Sequence, residues 1–102
     1  MSITIGGYSF DGPYSTTSNL EDRSGVYAIL DRRQDGSFLV DVGESSEVKT
    51  RIENHDRKDC WSKNALGTIN VAVYYTPNLQ QQGRMLVEQK IRDEYKPSCG
   101  ER

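Results

Sequence analysis

The stretch Gly25-Val26-Tyr27-Ala28-Ile29-Leu30-Asp31 is followed, after five polar residues, by Ser37-Phe38-Leu39-Val40-Asp41-Val42-Gly43, and these two runs decide how the chain is read. Both are rich in β-branched and aromatic residues, which pack well on a pleated surface, so each reads as a strand. The residues between them, Arg32-Arg33-Gln34-Asp35-Gly36, end in an Asp-Gly pair, a turn signal that joins the strands as an antiparallel hairpin. One residue sits badly there. Asp41 interrupts an apolar strand, and a buried carboxylate with no partner is costly, so something must solvate it or pair with it.

C-terminal to the hairpin, Ser45 and Ser46 offer an N-cap and Glu47 suits a first helical turn, which predicts a helix with its body over Val48 to Asp56. At about 100° per residue, Arg51 and His55 share the side of that helix marked by Val48 and Ile52. Residues 57–66 are polar, with Trp61 as a packing anchor. Thr68 to Tyr75 then reads as a third strand, ended by Pro77. Asn78 with Gln81 resembles a capping box for a last helix running to about Tyr95, with Val87, Ile91 and Tyr95 on one stripe and Pro97 as its stop.

N-terminal to the hairpin, residues 1–24 interleave Gly6, Gly7, Gly12 and Pro13 with Tyr8, Phe10 and Tyr14. That is too broken for a helix and too aromatic for a disordered tail, and it reads as an ordered lead-in packed on the body. The order β-β-α-β-α predicts an α/β fold: a small three-stranded, mainly antiparallel sheet flanked by helices. A chain of 102 residues has room for one core, so 1–102 is read as a single domain with residues 25–98 as its core.

With 34% hydrophobic and 27% charged residues, and no run near the roughly 20 apolar residues of a membrane span, no membrane role is expected. Met1 to Phe10 lacks the basic flank and continuous apolar run of a secretory signal, which makes the cytoplasm the expected compartment. Cys60 and Cys99 are then expected as thiols, without the spacing of a zinc site. A formal net charge of -2 argues against a general nucleic-acid coat, so any DNA surface must be local. Its candidates are Lys49, Arg57 and Lys63, which are interspersed with acidic residues as on a solvated helix face.

Gly25-Val26-Tyr27, then Asp41-Val42-Gly43, then a helix with Arg51 eight residues past Gly43 and His55 one turn later, then Glu88 in the last helix: this ordered set is similar to the GIY-YIG nuclease superfamily. The likeness covers roughly residues 25–98. It departs from the family pattern at Asp41, where a tyrosine begins the second tripeptide, and at Gly100, near which an asparagine is usual.

The resemblance implies a metal-dependent endonuclease, a hydrolase of DNA phosphodiesters, using one Mg²⁺ or Mn²⁺. Tyr27 would position or deprotonate the attacking water, Arg51 would stabilise transition-state charge, His55 would bond Tyr27 or shuttle a proton, and Glu88 would hold the metal. Asp41 would replace the missing tyrosine as a second acidic ligand or as the base. Each residue also has a plain structural reading. Tyr27 suits a half-buried strand, His55 suits a helix C-terminus, and Glu88 stands four residues from both Arg84 and Arg92 in an ion-pair ladder. Because two family positions differ, a lapsed binding or interaction module on the same fold is the alternative.

Overall fold

A computed structural model describes residues 1–100. In chain order they form β1 (Ser2–Ile5), β2 (Tyr8–Tyr14), β3 (Gly25–Arg33), β4 (Gly36–Ser45), α1 (Val48–Glu53), α2 (Lys58–Asn64), β5 (Thr68–Tyr75) and α3 (Gln81–Tyr95). The five strands make one sheet in the order β1-β2-β5-β3-β4, antiparallel at every pairing.

This corrects the expected α/β fold with a three-stranded sheet flanked by helices: the regular structure is mostly strand, in one five-stranded antiparallel sheet. Residues 1–24 are no mere lead-in, because β1 and β2 extend the sheet through β5. The glycines that break the sequence pattern are what make the first hairpin. Ile5 pairs with Tyr8 across a two-residue loop in which Gly6 and Gly7 hold φ of 61° and 85°. Positive φ at both positions is the pattern of a type I′ hairpin turn. Further along, β2 shifts register against β5 between Asp11 and Tyr14, at Gly12-Pro13, where a proline can sit in a strand because the ladder is interrupted. The helical part also differs. The helix expected over Val48 to Asp56 ends at Glu53, and a second short helix, α2, follows.

β3 pairs with β4 on one side and β5 on the other, so its residues are buried from Gly25 through Asp31. Its alternation builds two cores. Tyr27, Ile29, Val71 and Val73 face α1 and α2, where Val48, Ile52 and Trp61 pack on them with Leu20 and Cys99. Val26, Ala28, Leu30 and Ala72 face the other way, against Ile5, Phe10 and the α3 residues Val87 and Ile91.

β4 is an edge strand, and its open side is covered by the C-terminal end of the chain. Cys99 N–H donates to Val40 O at 2.9 Å, and Arg92 donates to Val42 O. The two cysteines, expected as thiols, form a disulfide across 39 residues of sequence. It ties α2 to the segment covering β4, a pairing that sequence spacing does not reveal because it depends on where α3 ends. Among the described residues, no helix is long and apolar enough to cross a membrane.

Candidate functional site

Tyr27 and Gly43 are partners across the β3/β4 hairpin. A Cβ at position 43 would lie 2.2 Å from the Tyr27 hydroxyl, so the phenol occupies space that only glycine leaves open. Past Gly43, β4 runs on to Ser45, whose Oγ accepts from Glu47 N–H at 2.9 Å as the chain turns into α1. Arg51 lies in α1, and His55 follows its C-terminal end.

The His55 ring is buried beside Tyr27, with Nε2 2.6 Å from the phenol oxygen. Its other nitrogen, Nδ1, accepts the main-chain N–H of Arg57 at 3.0 Å. Nδ1 is also 3.4 Å from a carboxylate oxygen of exposed Asp56, which would suit a protonated Nδ1. The backbone bond is shorter and its hydrogen is fixed by the peptide plane, so Nδ1 is the acceptor and a neutral ring carries its proton on Nε2. Nε2–H therefore donates to the Tyr27 oxygen, and the phenol's own hydrogen has no acceptor among the described residues.

Burial keeps both groups uncharged. It pushes the Tyr27 phenol up from 10.0 to about 12 and the His55 imidazole down from 6.5 to about 4. After burial, the charge of Arg51 acts most strongly on each, and it favours the phenolate and disfavours the imidazolium. Arg57 acts in the same sense, while Asp41 opposes it at both groups and Glu88 opposes it at Tyr27. Groups from β4, α1, the α1–α2 turn and α3 thus converge electrostatically on one phenol.

Asp41 is completely buried, and its two oxygens accept five hydrogen bonds. Oδ1 takes Val42 N–H at 2.8 Å, Arg92 Nη2 at 2.8 Å and Arg57 Nη2 at 3.3 Å. Oδ2 takes Arg57 Nε and Trp61 Nε1, each at 2.8 Å. A carboxylate so occupied has little lone-pair capacity left for a metal ion or a proton from water. Its charged partners are Arg57 and Arg92.

Glu88 is partly buried, which raises its carboxyl above the usual range, while the bond from Arg92 Nε at 3.0 Å pulls the other way. Of the expected ladder, only the Arg92 rung forms, since Arg84 turns instead to Glu44 at 2.9 Å. Arg92, which the sequence presents as an ordinary ladder residue, is buried and joins Glu88 to Asp41. The unpaired-looking Asp41 was the signal that such a cation had to exist.

The candidates for phosphate contact separate. Lys49 is half-buried on α1, Lys63 is exposed on α2, and Arg57 spends Nε and Nη2 on Asp41. Arg51 pairs loosely with exposed Asp56 at 3.2 Å.

No protein-family model matches the chain, and neither a curated protein nor a solved structure gives a match.

Proposed function

We propose that this chain is a metal-dependent nuclease, cutting DNA phosphodiesters with Tyr27, Arg51, His55 and Glu88. The observation that carries the reading is the Tyr27–His55 hydrogen bond at 2.6 Å, which, with Nε2 protonated, leaves the phenol O–H without an acceptor among the described residues while Arg51, Arg57 and Glu88 act on it by charge. An unpaired donor of this kind suits a phosphate oxygen.

Glu88 fits a single hydrated divalent ion. Its Oε2 accepts from Arg92, no bond among the described residues reaches Oε1, and the side chain is 23% exposed. Mg²⁺ commonly binds through one or two carboxylates while keeping several waters, so the absence of a larger His/Cys/Asp/Glu cluster among the described residues is compatible with it. When bound, the ion supplies charge stabilisation to the phosphate and the leaving oxygen. The protein's own part is different. His55 Nε2–H orients the phenol, the neutral phenol donates its O–H to a phosphate oxygen, and Arg51 offers a permanently charged fork to the developing negative charge.

A supercoiled plasmid incubated with the protein and Mg²⁺ or Mn²⁺ tests this reading. Wild type should nick, and Tyr27→Phe and Glu88→Ala should each lose about 100-fold or more, as on removal of a group used in the transition state. Equal nicking by wild type and Glu88→Ala sinks the assignment.

One observation favours the second reading, a DNA-binding or protein-interaction module without turnover: Tyr27 is only 1% exposed, so the phenol is nearly closed off. Retained binding of labelled duplex with no metal-dependent nicking would select it. Cytoplasmic location belongs to the same proposal, although the Cys60–Cys99 disulfide belongs more naturally to an oxidising compartment. Alkylation of the cysteines in intact cells, read by mass spectrometry, decides between the two.

A further inference from the structure

We propose that Asp41 is a positioning residue: by anchoring Arg57 it fixes the tautomer of His55, and through it the direction in which the Tyr27 hydroxyl points. The inference rests on the nuclease reading for its consequence, but its geometry can be tested separately.

The chain of contacts is continuous. Asp41 grips the Arg57 guanidinium at two points, 2.8 Å to Nε and 3.3 Å to Nη2. Arg57 immediately precedes α2, and its main-chain N–H donates to His55 Nδ1 at 3.0 Å. His55 Nε2–H is thereby aimed at Tyr27 Oη, 2.6 Å away. Trp61, in the first turn of α2, donates to the same Asp41 oxygen as Arg57 Nε, so side chains at two points along this segment hold it against β4. From the opposite side, Arg92 holds Asp41 in place at 2.8 Å while also gripping Glu88 at 3.0 Å. One carboxylate thus sits between the two arms of the site without facing the reacting atoms.

This explains the chemistry of position 41 better than a metal or proton role. All five groups reaching Asp41 are N–H donors. A tyrosine there could not accept them all, and an asparagine would turn an NH₂ donor toward other donors. Such a hub demands an ionised carboxylate, and the arginines that satisfy it are the residues whose backbone or side chain reaches His55 and Glu88.

His55 is the only histidine of the chain, so its ring nitrogens give unique signals in uniformly ¹⁵N-labelled full-length protein. At pH 7 the wild type should show one protonated nitrogen and one acceptor nitrogen, with Nε2 the protonated one. In Asp41→Asn, with amide-spectrum dispersion confirming the fold, the two signals should move toward each other as the tautomers exchange. Nicking should fall about 10- to 100-fold in kcat, the range for loss of a group that orients a working histidine, with KM little changed. A folded Asp41→Asn that keeps the wild-type tautomer overturns the proposal. If that variant does not fold, Arg57→Met decides by the same readout: it keeps the main-chain N–H and leaves Asp41 paired with Arg92 and Trp61. A retained tautomer in Arg57→Met overturns the proposal, and mixed tautomers support it. Should wild type fail to nick at all, the nuclease reading falls while the nitrogen signals still decide the positioning role.

Discussion

Val26 and Tyr27 are neighbours in β3, yet they enter two different kinds of core. On the Val26 side, Ala28, Leu30, Val42, Phe10 and Ile91 form an apolar cluster held by surface removed from water. On the Tyr27 side, Ile29, Val73 and Ile52 share the interior with a phenol, an imidazole and an indole N–H, and with an Asp41 carboxylate whose partner Arg92 is 2% exposed. Buried ion pairs add little net stability over well-packed apolar residues. Stability alone therefore explains the Val26 side more fully than the Tyr27 side, which is the side that carries the proposed site.

The contrast can be broken at its strongest point with Asp41→Ala, which leaves Arg92 with Glu88 as its one carboxylate partner and removes the acceptor of the buried Trp61 N–H. The expected loss is about 3–5 kcal/mol, read from the urea midpoint, as for removing one partner of a buried pair. A loss under about 1 kcal/mol would mean that charge does not hold this face together.

Next in size is the disulfide. Closing a loop across 39 residues contributes roughly 4 kcal/mol in chain-entropy terms, so reduction, or Cys60→Ser with Cys99→Ser, should lower Tm markedly. The effect should concentrate on the polar face, since Cys99 also bonds Arg92 through its carbonyl at 3.0 Å.

Acid should separate the two faces as well. His55 is neutral in the folded protein down to about pH 4, whereas an unfolded chain protonates it near 6.5. As its folded pKa is depressed, its contribution is fully present above about pH 6.5 and is lost as pH falls toward 4, on the order of 3 kcal/mol in all. His55→Phe should flatten that part of a stability-against-pH curve.

The smallest expected stability effects sharpen the functional side of the comparison. Gly43→Ala pushes a methyl against the phenol, costing about 1–3 kcal/mol and displacing Tyr27, so the nicking proposed above should disappear. Ile91→Val on the apolar side should cost only about 0.5–1.5 kcal/mol and leave nicking per folded molecule unchanged.

Much of the central hairpin is legible in the amino-acid pattern. The β3/β4 pair and β5 follow directly from their apolar runs, and Tyr27 and His55 do meet. The N-terminal strands were harder to see because β1 and β2 are short and Gly12-Pro13 disrupts their alternation, although Gly6-Gly7 is a strong hairpin signal in its own right. At the site, Asp41 announces its need for a partner, but the partners come from positions 57, 61 and 92, and no local rule links residues so far apart. Arg92 in particular presents the spacing of an i,i+4 surface pair and makes that pair, while its remaining donors reach across the edge of the sheet.

The covering of β4 by Arg92 and Cys99 also closes one edge of the sheet to pairing with another chain. An exposed strand edge is a template for another chain, and here one of the sheet's two edges has its carbonyls at Val40 and Val42 occupied from within. The other, along Ser2–Ile5, carries no such cover among the described residues. Of the two edges, β1 is thus the one with outward main-chain groups left unpaired among the described residues, and it shares a cavity with Phe38 and Leu39 of β4 and with Tyr95.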